Sequence, residues 1–238
     1  MATTNTGSPI PPGRFDGLQI TRSSTADQVA DILRKMITRG DFAPGMPLPE
    51  VALADSIGVS RNTTREALRV LAREGLVSRH MHKGASVATL RGEDVTDIFR
   101  VRRALELKAV AASAEASPAQ LAGLREAVDE LRTAAESGEW DRVIESDVLF
   151  HERLLGLLGS PRLDRFFQEI QGELRLCLAL VDRQYDDPAP LVAEHRELYE
   201  LMERGEQERC LESLEAHLAD SEQVLKSIVN RQNAVGST

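Results

Sequence analysis

Apolar residues recur at helical spacing along most of the chain and alternate in strand fashion only in a short stretch after residue 75. Between Thr25 and Arg39, Val29, Leu33, Met36 and Ile37 lie near a 3.6-residue period, and Gly40 ends the run. From Glu50 to Ile57, Val51, Leu53, Ala54 and Ile57 can face a core, and Gly58 supplies a stop that tolerates positive φ. Ser60 then caps a further helix whose inward stripe is Ala67, Leu68 and Leu71. Leu76 to His80 and Ala85 to Thr89 read as two short strands joined through His82-Lys83-Gly84. From Glu93 onward the pattern is helical throughout, with segments predicted at 93–116, 118–137, 139–158, 162–181, 190–204 and 206–230. Ser117-Pro118 and Ser160-Pro161 are cap and first-turn proline signals, and Gly138 and Gly205 are stops. Residues 1–21, rich in Thr, Pro and Gly and without an apolar period, are expected to form a flexible tail.

The two helices flanking Gly58-Val59-Ser60 form a helix-turn-helix, and the second carries Arg61, Arg65, Arg69 and Arg73 at every fourth position. Such a basic ridge suits phosphates and guanine edges. The strand pair makes a wing bearing Arg79, His80, His82 and Lys83. The expected DNA contacts are Arg61, Asn62, Thr63, Arg65, Arg69, His82 and Lys83. Gly58-Val59-Ser60-Arg61, Arg65-Glu66-Ala67-Leu68 and Glu74-Gly75-Leu76-Val77 together resemble the signature of GntR-family winged-helix transcription regulators. Many members have Thr-Pro-Val where this chain has Asn62-Thr63-Thr64. The resemblance implies a homodimer that binds a double-stranded DNA operator with palindromic half-sites. The expected fold class is mainly α: a winged helix-turn-helix of three helices and a two-stranded wing over residues 22–91, then an all-α antiparallel bundle of about six helices over residues 92–238.

A net charge of −9 looks unsuited to a polyanion until it is divided along the chain. Residues 22–91 hold 11 Lys and Arg against 7 Asp and Glu, whereas residues 92–238 hold 17 against 30. A basic small domain is thus joined to an acidic large one, and DNA attracts only the first. Apolar runs such as Leu176 to Val181 are far too short to cross a bilayer, and no basic-then-apolar segment opens the chain, so a cytoplasmic protein without membrane contact is expected. Cys177 and Cys210 lie in helical contexts without CxxC spacing and read as buried thiols.

The candidate chemistry lies in the acidic half. Its three histidines each occupy a position that the helical period assigns to an apolar face. His151 shares a stripe with Ile144, Val148 and Leu155, and Asp147 stands four residues before it on the same face. His195 joins Leu191, Leu198 and Met202, and His217 joins Leu214, Ser221, Val224 and Ile228. Burying three imidazoles and a carboxylate costs several kcal/mol unless they satisfy one another, either as a hydrogen-bond network or around one divalent cation per chain. The donor set suits Zn, Ni, Mn or Fe without choosing among them. Asp147, His151, His195 and His217 also match the ligand pattern of the metal-binding FCD effector domain found in the FadR branch of the family, and Val101-Arg102-Arg103 with Leu105-Glu106 resembles its start. That resemblance implies a small organic acid as effector beside the metal, with repression relieved when it binds. Arg102 and Arg175 are the expected carboxylate clamps.

Two other readings stay open at this level. A buried metal with open positions is also how hydrolases activate water, but the chain has no HExxH, GxSxG or P-loop motif, so no enzyme is expected. The helical half could instead be a dimerisation module stapled by a structural metal.

Overall fold

The computed structural model describes residues 24–80, 84–181 and 187–235. The expected tail, residues 1–21, lies outside them, as do the two wing-tip residues His82 and Lys83 assigned to DNA.

The first three helices form where their caps dictate. Helix α1 (Thr25–Thr38) starts in a capping box: the Ser24 hydroxyl accepts the Asp27 N–H, and the Asp27 carboxylate accepts the Ser24 N–H at 2.9 Å. Helix α2 (Glu50–Ile57) ends at Gly58 with φ 79°, and Ser60 caps α3 (Arg61–Arg73) by accepting the Thr63 N–H. Strands β1 (Val77–His80) and β2 (Gly84–Val87) pair antiparallel, Val77 opposite Val87. Each strand is shorter than the sequence suggests. Leu76 is fully buried with its N–H bonded to the Leu71 carbonyl, and Ala88 donates to Leu76 rather than extending the ladder.

The second half is helical throughout its described residues: α4 (Gly92–Ala112) with a 3-10 turn at Ser113–Glu115, α5 (Pro118–Ser137), α6 (Trp140–Gly156), α7 (Pro161–Val181), α8 (Ala189–Glu203) and α9 (Gln207–Val235). Helix α5 starts in a Ser117–Gln120 capping box and stops at Gly138, φ 70°. Helix α9 packs along α4, and α5 lies against α6 and α8. No described helix is long and apolar enough to cross a membrane.

The two halves share one continuous apolar core, in which Leu33, Leu68 and Leu71 connect through to Phe99, Leu174 and Cys177. Helix α7 makes the join. An ideal Cβ on Gly172 would lie 1.5 Å from the Glu74 carbonyl oxygen, so the helix backbone rests directly on the turn that ends α3. Arg34 of α1 forks onto the Glu74 carboxylate at 2.9 and 2.7 Å, and Arg39 pairs with Asp141 near the start of α6.

Candidate metal centre

The centre is assembled from three helices, each of which must bury an imidazole to complete its apolar face. On α6, Asp147 and His151 stand one turn apart, flanked by buried Val143, Ile144, Val148 and Leu155. Helix α8 contributes His195 between Val192 and Leu198, and α9 contributes His217 beside Leu214 and Leu218. His151 and His195 are fully buried, and the ligand nitrogens of the three rings lie within 4.8 Å of one another. His195 Nε2 is 3.3 Å from His151 Nε2 and 3.1 Å from Asp147 Oδ1, which is itself 4.0 Å from His151 Nε2.

The other nitrogen of each ring is already engaged. His151 Nδ1 lies 2.7 Å from Glu106 Oε2, His195 Nδ1 lies 2.8 Å from the Leu191 carbonyl, and His217 Nδ1 lies 2.8 Å from Glu194 Oε2. All three partners only accept, so each Nδ1 carries the hydrogen. Burial pushes the His151 imidazole down to about 4 against the pull of Glu106, and burial also lowers His217 against the hydrogen bond that it donates to Glu194. Their Nε2 lone pairs are therefore free. In the centre, the Nε2 atoms of His151 and His195 face one another at 3.3 Å, and His195 Nε2 faces the Asp147 carboxylate at 3.1 Å. Burial disfavours the charged Asp147 carboxylate, yet His195, His151 and Arg102 hold it well below the usual range. A proton at the centre serves one of these contacts, whereas a divalent cation could be shared by the three imidazoles, with Asp147 Oδ1 3.1 Å from His195 Nε2 as a further candidate ligand. Two ligand bonds of about 2.1 Å at tetrahedral or octahedral angles set donors about 3.0–3.4 Å apart, which is the spacing of His195 to its two nearest neighbours. The donor chemistry fits a metal ion, and its outer partners have the form that fixes tautomer and ring orientation around bound metals.

Arg102 and Glu106 complete the polar interior from α4. Arg102 Nε donates to Glu106 Oε1 at 2.7 Å, and the guanidinium carbon lies 4.9 Å from the centre of the Phe99 ring. Burial works against a charged Glu106, but the Arg102 guanidinium and His151 hold it down to about 2. Arg102 Nη2 is buried and has no acceptor among the described residues. A cavity of about 230 Å³ opens at Asp147, with Val143, Ile144, Leu178, Leu191, Val224 and Leu225 in its walls.

The two arginines expected as clamps lie in different places. Arg102 belongs to the centre. Arg175 does not: its guanidinium bonds Glu145 at 3.2 Å and Gln171 at 3.3 Å, in a cleft that it shares with Arg34 and Glu74. Leu174, Leu176 and Cys177 take the inward face of α7 and turn Arg175 toward the DNA-binding half. Sequence reasoning assigned no role to Glu106 or Glu194. Glu106 left a signal, a charged pair with Arg102 four residues apart inside the apolar stripe of Ile98, Phe99, Ala109 and Val110. Glu194 left none, because its bond to His217 crosses between helices.

At the far end, α3 presents Arg61, Asn62, Arg65 and Arg69 to solvent, while Thr63 is half-buried with its hydroxyl 2.8 Å from the Ser60 hydroxyl. Arg65 is held by Glu50 of α2 at 2.9 Å, and Arg69 by Glu66.

Residues 25–87 match the gntR family of bacterial regulatory proteins, and residues 97–220 match the FCD domain. YdhC of Bacillus subtilis (strain 168), an HTH-type transcriptional regulator described as uncharacterized, is 30% identical over 199 residues, which are 83% of this chain and 89% of that protein. The gluconate operon transcriptional repressor of Bacillus licheniformis is 25% identical over 207 residues, 84% of this chain and 85% of the relative. Among solved structures, a GntR transcriptional regulator from Rhodococcus sp. RHA1 superposes with a TM-score of 0.73 at 30% identity, covering 85% of this chain and 98% of that one. McbR/YncC of Escherichia coli gives 0.70 at 25% identity over 89% of this chain and all of the other. With these matches over both halves, the chain belongs to the GntR family of bacterial transcription regulators, in the FadR-like branch that carries an FCD domain, and is a regulator rather than an enzyme.

Proposed function

We propose that the chain is a metal-containing repressor that binds a palindromic operator as a homodimer and releases it when a small carboxylate enters the FCD domain. The observation that carries this reading is the convergence of His151, His195 and His217 with Asp147 in the core, linked through Glu106 to an Arg102 whose buried Nη2 has no acceptor among the described residues. A divalent cation, when bound, supplies the positive charge those lone pairs require and keeps positions open for a carboxylate oxygen. Arg102 is the matching donor for the same anion, since guanidinium groups pair with carboxylates through directed N–H bonds. A buried, unsatisfied guanidinium nitrogen costs free energy until such an acceptor arrives.

The α3 surface with Arg61, Asn62, Thr63, Arg65 and Arg69 is the base-reading face, inserted in the major groove. Asp147 and His151 share α6 with Asp141, the partner of Arg39, so a shift of α6 on ligand binding is felt at the end of α1. A coupling of about 1–3 kcal/mol between the sites changes operator affinity about 5- to 150-fold.

The test is operator affinity of the metal-loaded protein with and without a panel of carboxylates, repeated with His151→Ala and Arg102→Ala. The expected result is release by at least one acid in the native protein and insensitivity in both variants. An equal response in all three proteins, or metal well below one equivalent per chain after reconstitution, overturns the reading.

A further inference from the structure

We infer that the acid accepted here is a monocarboxylate with an apolar body, of the arylacetic or branched-chain type, and not a sugar acid or a dicarboxylate. This inference rests on reading the centre as an effector site. The cavity that opens at Asp147 is walled by aliphatic side chains from α6, α7, α8 and α9, with Pro188 and Pro190 at one side. Burying an apolar body against such walls is the main source of affinity that they offer.

The charged residues on the same lining all have one sign. Beside Asp147 they are Asp187, Glu194 and Asp220, and no Lys or Arg lines the cavity among the described residues. An acid with one carboxylate directs it to the cation at the Asp147 end of the cavity, away from this rim. A second carboxylate would lie among acids, with no cation among the described lining residues to pair it, and like charges at close range in a partly desolvated site repel strongly. Hydroxyl groups distributed along the body would face aliphatic carbon and lose their hydrogen bonds to water. The volume of about 230 Å³ lies below the range of drug-sized pockets, so the body is a single ring or a short branched chain. Trp140 also lines the cavity, and its indole N–H is buried with no acceptor among the described residues. This is the only tryptophan of the chain, so its emission reports on the cavity.

The experiment uses the full-length, metal-loaded protein, with calorimetry and Trp140 emission as readouts and acetate, phenylacetate, 4-methylpentanoate, gluconate and succinate as probes. Phenylacetate and 4-methylpentanoate are expected to bind more than about tenfold tighter than acetate and to change the emission, since each buried methylene adds to affinity. Gluconate and succinate are expected to bind no better than acetate. Val224→Phe, which fills the half-buried α9 wall, should remove the advantage over acetate, with metal content measured on the same sample. Asp220→Lys, at an exposed rim position, should raise succinate affinity. Tight binding of gluconate or succinate without the apolar acids overturns the inference and leaves the sensor reading standing. Binding of none of the five overturns both. Tight binding of the apolar acids that is indifferent to Val224→Phe places them elsewhere and overturns the inference.

Discussion

The Glu106 carboxylate and the His151 imidazole meet in the protein interior, 2.7 Å apart and both without solvent exposure. The bond fixes which ring nitrogen carries the hydrogen and so points the other at the histidine cluster proposed to hold a metal. Glu106→Gln keeps the volume and removes the charge. Loss of such an outer partner typically lowers metal affinity about 10–100-fold. A chelator competition titration checks it, and unchanged affinity would remove Glu106 from the site. Glu106→Ala also strands the Arg102 charge, and breaking a buried pair in this way is expected to cost about 3–5 kcal/mol of stability, readable by denaturant unfolding.

Removal of metal should lower the melting temperature reversibly. A ligand present at a hundred times its dissociation constant stabilises the native state by about 2.7 kcal/mol. Zn, Ni, Mn and Fe added back singly should restore the transition to different degrees. His217→Ala should melt near the metal-free position and gain little from any of them. Coincident melting of native protein and variant, with and without chelator, would assign the histidines to a hydrogen-bonded core.

Gly172→Ala should separate the two halves. The added carbon would lie 1.5 Å from the Glu74 carbonyl oxygen, which is backbone and cannot swing aside. Overpacking of this kind costs about 1–3 kcal/mol when neighbours can relax. Protease cleavage between the halves should accelerate and operator affinity should fall. Gly123→Ala in α5 is the control: its new carbon meets only Arg153 Cδ at 3.9 Å, so a gain of about 0.5–1 kcal/mol is expected from helix propensity. Equal effects of the two substitutions in thermal unfolding would contradict the assigned contact.

Arg65→Ala should weaken the cognate operator by about 1–3 kcal/mol and relax preference at one base pair. Footprinting at matched concentrations with scrambled competitor checks both parts. Protection identical to that of the native protein would move base reading to other residues of α3.

The helices and their ends were legible because the signals that set them are local. Ser60, Ser117, Gly58 and Gly138 act as caps in the positions where the sequence puts them. The meeting of the three histidines was legible for a related reason, because a histidine on an apolar stripe is conspicuous when the period is clear. What the sequence withheld depends on contacts between helices. The period says that α7 has an inward face but not which neighbour each side of it meets, so Arg175 was assigned to the wrong cleft. The same limit hid Glu194, whose role depends on how α8 lies against α9. The charge division showed a basic small domain joined to an acidic large one but not how closely they pack, and Gly172 lacks the side chain that would keep them apart.

The Glu50 carboxylate that holds Arg65 is a resident competitor for DNA. Every encounter with a duplex begins with Arg65 already satisfied, so engagement is an exchange of acceptors. A lone phosphate offers one anionic contact in return for the one surrendered, and the balance is close to nil. A guanine edge presents two acceptors to the same fork and tips the exchange toward release of Glu50. If Arg65 reads a base as proposed, this internal decoy would shorten dwell time at the vast excess of random sites in a genome and spare it where the sequence is right.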